Sequence, residues 1–184
     1  MNKLKGLTLL ELIITLTISS ILLTAAIPGM AFLNAKSDSK VVTSTIIRLL
    51  AASRAHAISH GDTVTMCGMS IQNNTCIREQ FDRLVMFIDD NNNQEIDDDE
   101  TLLQERQLDH QGQLHFRAGL NRTYAQFVYD GSSNVAGSFI YCDPDYSTAA
   151  ARITLSMSGR AYIAQDGDDD GVVEINQGGD PIDC

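Results

Sequence analysis

The sequence predicts an α+β protein: a long N-terminal helix, transmembrane in its first half and amphipathic in its second, packed on antiparallel β-sheet in a globular head. Three observations predict the helix and the sheet. Residues 12–35 carry no charged side chain, apolar residues continue at helical spacing as far as Gly61, and beyond it the pattern shortens to β-rich runs between turn residues. A long helix followed by consecutive strands is an α+β order.

The first element is the uncharged run. At about 1.5 Å per residue it is long enough to cross the ~30 Å hydrocarbon core of a bilayer. A secretory signal has a shorter apolar region ending at a small-residue cut, whereas this run continues past Thr24-Ala25-Ala26. Glu11 stands near its start, where a carboxylate in lipid costs up to about 2.5–3.5 kcal/mol at full depth. A plain membrane anchor has no use for that residue.

Pro28 removes a backbone donor, so a kink or local melting is expected there. Past it, Val42, Ile46, Leu49, Ser53 and Ala57 recur at three- and four-residue steps, the pattern of a helix with one face against the head. His56 and His60 lie four apart, but no third metal ligand accompanies them.

Strands are expected at 63–66, 84–88, 101–108, 114–117, 125–129, 138–142, 152–156 and 160–164, with Met157-Ser158-Gly159 as a hairpin turn. The chain therefore divides into a membrane-spanning helix half reaching residue 33, an amphipathic half at 34–61 and a β-rich head at 62–184, and the boundary between 1–6 and 7–33 is set by the resemblance given below. The formal charge of −11 repels nucleic acid and anionic lipid surfaces.

Lys3 and Lys5 keep the amino terminus on the cytoplasmic side, which places the head in an oxidising compartment. The four cysteines, Cys67, Cys76, Cys142 and Cys184, allow three disulfide connectivities. The favoured one joins Cys67 to Cys76 across a short polar loop and Cys142 to Cys184 at the carboxyl terminus. Their spacing does not suit tetrahedral zinc.

Two acidic stretches are candidate calcium loops. In the first, Asp89, Asn91, Asn93, Asp97 and Glu100 stand at positions 1, 3, 5, 9 and 12 of an EF-hand-like pattern, with Ile96 at the apolar eighth. Gln94 replaces the turn glycine, and strands rather than helices flank the loop, which argues for a looser oxygen cage or a solvated turn. In the second, Asp166, Asp168 and Asp170 precede Gly171, with Gln177 in place of the bidentate glutamate. Nothing in the fold requires a cofactor. The sequence contains no nucleophile elbow, phosphate loop or His-Glu-x-x-His motif, and points away from an enzyme.

Basic residues, Gly6, an apolar residue and a glutamate fifth after that glycine resemble the class III signal of type IV pilin-like proteins. The resemblance implies that a prepilin peptidase cuts between Gly6 and Leu7, and that Leu7, where phenylalanine is usual, becomes the N-methylated terminus. The family's Thr-Leu-Leu-Glu-Leu core is matched by residues 8–12, and its later proline by Pro28. The alanine- and arginine-containing helix end at 51–61, Val64-Thr65-Met66-Cys67, the acidic hairpin of 85–91 with 100–103, and the final strands 138–142 and 153–160, ending in Ser158-Gly159-Arg160, are similar to the GspH/FimT group of minor pseudopilins and minor pilins.

That resemblance implies a subunit held in the inner membrane with a periplasmic head, then drawn into a filament. Its implied partners are the prepilin peptidase, an inner-membrane assembly platform and other minor and major pilins or pseudopilins. Glu11 would pair with the charged amino terminus of a neighbour. The filament would be a type II secretion pseudopilus or a type IV pilus, and a membrane-tethered calcium-binding module is the alternative of another class. Some members bind DNA through Gly-Arg-x-Arg. Here the stretch is Gly159-Arg160-Ala161-Tyr162 with acidic residues close behind, which argues against DNA binding.

Overall fold

The computed structural model describes residues 8–169, 172–174 and 182. Helix α1 spans Leu9–His60. It is followed by β1 (Val64–Met69), β2 (Arg83–Ile88), β3 (Leu102–Gln107), β4 (Gln113–Ala118), β5 (Tyr124–Phe127), β6 (Gly137–Cys142), β7 (Ala151–Leu155) and β8 (Ala161–Ile163). Each strand overlaps one of the eight predicted runs. The chain forms two compact units divided between Asn34 and Ala35.

In the first unit the helix is continuous through Pro28, so the expected melting does not occur as a break in α1. One missing donor is tolerated where the helix is long on both sides of it. The large apolar side chains of this unit, including Leu9, Leu12, Ile13, Leu16, Ile21, Leu22 and Met30, are exposed. Among the described residues α1 is the one helix long and apolar enough to span a membrane.

In the second unit the helix buries the predicted stripe. Val42, Ile46, Leu49, Ser53 and Ala57 are all inaccessible, with Leu50 beside them. The helix ends at Gly61, which takes a positive φ of 82° and donates its N–H to the Ala57 carbonyl. Only glycine adopts that conformation at little cost.

The strands form two antiparallel four-stranded sheets rather than one: β3-β2-β1-β5 and β4-β6-β7-β8. The main core unites the α1 stripe with Val64, Met66, Leu84, Met86, Ala125 and Phe127 of the first sheet and Leu114, Phe116, Phe139, Tyr141, Ile153 and Leu155 of the second.

Strand alternation then gives each sheet a second apolar face. On the first sheet, Cys67, Met69, Val85 and Phe87 form a smaller cluster with Cys76. On the second, Ile140 and Cys142 pack with Ala150 and Ile182. Ile182 reaches them through a backbone bond from its N–H to the Val173 carbonyl. The β7–β8 turn is a hairpin, with the Gly159 N–H on the Ser156 carbonyl at 2.9 Å.

Candidate functional site

Gly6 and Leu7 lie outside the described residues, so the described part of the amino-terminal motif begins at Thr8. Thr8 and Glu11 form a capping box. The Thr8 N–H and hydroxyl donate to Glu11 Oε2 at 3.1 and 3.2 Å, and the Glu11 N–H donates to Thr8 Oγ1 at 3.2 Å. Each side chain satisfies a backbone donor that the first helical turn leaves unpaired. The carboxylate also sits at the positive end of the helix dipole. The Thr-x-x-Glu spacing announces such a cap, but the sequence reading weighed Glu11 for its charge alone.

Cys67 and Cys76 are joined, with an S–S distance of 1.98 Å. Cys142 is also disulfide-bonded, and Cys184 lies outside the described residues. The segment carrying Cys76 lies along the acidic loop. The Cys76 N–H donates to the Gln94 carbonyl at 3.0 Å, and the Ile96 N–H to the Asn74 carbonyl at 2.9 Å. The disulfide thus anchors the strip of backbone that supports one side of that loop.

The acidic loop 89–100 joins β2 to β3. Asp89 is fully buried and accepts a hydrogen bond from the Thr65 hydroxyl at 2.8 Å, while its N–H binds the Thr63 carbonyl. Gln126 Nε2 donates to Thr65 Oγ1 at 3.0 Å and to Asn92 Oδ1 at 2.9 Å, so β1 and β5 both hold the loop's base. Asn91 Nδ2 and Asn93 Nδ2 both donate to Asp97 Oδ2 at 2.8 Å. Asn92 and Gln94 have φ of 58° and 63°, so Gln94 adopts the left-handed turn that glycine was expected to be needed for.

Glu100 closes the loop by accepting the Asp97 N–H at 3.4 Å. Burial raises its carboxyl pKa, the Asp97 and Asp90 N–H groups oppose this, and the nearby charges of Asp89 and Asp97 raise it further.

In the second acidic stretch Asp170 lies outside the described residues, but Asp166 and Asp168 are brought together with Glu174. Their ligand atoms lie within 4.8 Å of one another. Glu174 is buried and accepts the Gly167 N–H at 2.9 Å. The sequence reading missed it, although Glu174 occupies the ninth position counted from Asp166. His56 and His60 stack at 4.1 Å, and His56 Nε2 lies 3.3 Å from Asp62 Oδ2.

An apolar helix with a capped glutamate at its start, continuing into a helix stripe buried under antiparallel sheets, defines a type IV pilin-like subunit of the minor pilin and pseudopilin kind. Residues 1–27 match the prokaryotic N-terminal methylation motif. Residues 42–159 match the model of Type II transport protein GspH, and the chain belongs to that family.

The fold is similar to that of the type IV minor pilin FimU of Pseudomonas aeruginosa, at 11% identity and a TM-score of 0.49 over 75% of this chain and 93% of that one. A second crystal form of FimU matches at 11% identity and a TM-score of 0.46, over 70% and 91% of the two chains. The minor pseudopilin EpsH from the Type 2 Secretion System of Vibrio cholerae matches at 15% identity and a TM-score of 0.45, over 68% and 95%. No curated protein matches the sequence.

Proposed function

We propose that the chain is a minor pseudopilin of a type II secretion pseudopilus. Prepilin peptidase cuts it between Gly6 and Leu7, and Leu7 is then N-methylated. The inner membrane holds it by residues 7–33 with its head in the periplasm, and an assembly platform draws it into the filament near the tip. There it helps initiate assembly beside other minor and major pseudopilins. It acts as a structural subunit rather than an enzyme.

The observation that carries this reading is the exposed, uncharged half of α1 placed directly behind Lys3, Lys5, Gly6 and Glu11. Such a surface is stable only in lipid or against other apolar helices. A carboxylate at its head needs a positive partner, which the free amino terminus of a neighbouring subunit supplies. The family match to a type II transport protein favours secretion over a pilus.

Two measurements test this. Mass spectrometry of the mature protein is expected to find a methylated amino terminus at Leu7; a chain still beginning at Met1 would refute the assembly reading. Deleting the gene is expected to abolish export of secreted proteins and leave surface pili intact. Lost pili with normal secretion would instead make it a minor pilin that primes type IV pilus assembly.

A further inference from the structure

We propose that the β2–β3 loop is a calcium site in which Asp89, Asn91, Asn93, Asp97 and Glu100 supply the side-chain oxygens. The inference goes beyond the filament role and does not depend on it.

The buried carboxylate of Asp89 carries the argument. It is 0% exposed, and while Oδ2 takes the Thr65 hydroxyl, Oδ1 has no hydrogen-bond partner among the described residues. A buried carboxylate oxygen without a donor is strongly disfavoured unless a cation answers it. At the loop's other end Glu100 Oε1 is likewise buried and without a donor among the described residues. The Cys67–Cys76 disulfide backs the loop that carries both orphaned oxygens, and a divalent cation answers them.

The donor set distinguishes the ion. Asn91 and Asn93 turn their Nδ2 groups onto Asp97 Oδ2 and their Oδ1 atoms toward the Asn93 and Glu95 N–H groups, so in the proposed site an ion replaces the amide N–H groups at Asp97 and both amides rotate to present oxygen. With the amides so turned, the ligands offered are hard oxygens, without imidazole or thiolate, which disfavours zinc. A loop offering many protein oxygens suits calcium. Magnesium demands near-ideal octahedral geometry and keeps its waters.

The test is calorimetric titration and thermal melting of the full chain in detergent micelles, freed of metal with a chelator and titrated with calcium chloride. Saturable binding is expected at or below about 1 mM, the range of extracellular calcium modules. It should be accompanied by a melting rise of several degrees.

Glu100→Gln and Asp97→Asn are each expected to weaken binding at least about tenfold. Asp168→Asn, in the other acidic stretch, should leave this transition unchanged. Melting in chelator reports whether each variant is folded, so loss of binding is separable from loss of structure. No heat and no melting shift up to about 10 mM calcium, well above that affinity range, would overturn the site. Binding that survives both Glu100→Gln and Asp97→Asn, or that magnesium reproduces at equal concentration, would do the same.

Discussion

Thr8 and Glu11 exchange hydrogen bonds across the first turn of α1: the Thr8 N–H reaches Glu11 Oε2 at 3.1 Å while the Glu11 N–H reaches Thr8 Oγ1 at 3.2 Å. The capping role of Glu11 needs no charge, so it is separable from the charged role toward a neighbouring subunit proposed above. Glu11→Gln keeps an oxygen for the cap and removes the charge, whereas Glu11→Ala removes both. If the charge drives assembly, both variants should be processed normally, and both should fail to copurify with the other subunits. Recovery of assembly by Glu11→Gln alone would assign the residue to the cap, a contribution of about 1 kcal/mol to the helix start.

The Cys67–Cys76 bridge closes a short loop with a sequence separation of 9. In the chain-entropy model a loop of this size stabilises the folded state by about 2–3 kcal/mol. The double variant Cys67→Ser/Cys76→Ser is expected to lose that amount in chemical denaturation. The Cys76 and Ile96 amides tie the bridged segment to loop 89–100. Calcium affinity, read by titration, should therefore fall in the same variant, while an unchanged affinity would show that the loop is held by β1 and β5 alone.

Much of this architecture was legible because its signals are local. Val42, Ile46, Leu49 and Ala57 recur at helical spacing and are all inaccessible, and each predicted strand lay between turn residues. The division into two sheets was not legible. It depends on β1 pairing with the distant β5, and on β4 pairing with β6 across the intervening β5. Such pairings are set by the shared core and leave no mark in the spacing along the chain.

The acidic loop shows the same limit. The alternating oxygens of 89–100 can be read from spacing, but the burial of Asp89 depends on Thr65 and Gln126, which belong to other strands. Gln94 shows the converse: tertiary contacts impose a left-handed backbone on a residue whose type argues against it.

Two titratable groups outside the membrane-spanning segment give opposite pH dependences. Burial lowers the pKa of His115, the neighbouring Arg117 lowers it further, and Glu79 partly offsets this. Its Nε2 is buried without a partner among the described residues. A histidine whose folded pKa is depressed binds a proton more readily when unfolded, so stability is lost as pH falls below about 6.5. His115→Gln should flatten that decline in melting curves taken between about pH 7 and pH 5, on either side of the ordinary histidine pKa.

Glu100 has the opposite sign. Its raised folded pKa means that the folded state holds a proton more tightly than the unfolded chain does. In chelator its contribution is therefore lost as pH rises through the folded pKa and is regained on acidification. Glu100→Gln should melt at or above the wild-type temperature near neutral pH in chelator, even though it weakens calcium binding. A variant less stable than wild type in chelator would show that Glu100 acts through a contact other than charge.

The hairpin turn between β7 and β8 meets the α1 side of the head through two glycines. Arg54 Nε donates to the Gly131 carbonyl at 2.9 Å, and Gly131 and Gly159 have φ of 76° and 72°. An added Cβ at Gly159 would stand 1.9 Å from the Gly131 carbonyl oxygen, a backbone atom that cannot rotate away. At Gly131 the nearest atom would be Ile58 Cδ1 at 2.6 Å, the end of an exposed and flexible side chain. Both substitutions to alanine incur the cost of a left-handed backbone, about 1 kcal/mol each. Gly159→Ala must also displace the Gly131 backbone, and with it the Arg54 bond. Denaturant unfolding should therefore rank Gly159→Ala as the more damaging by about 1 kcal/mol, the scale of one lost hydrogen bond. Equal losses for the two variants would show that backbone conformation, and not the packing of this turn against Gly131, sets the cost.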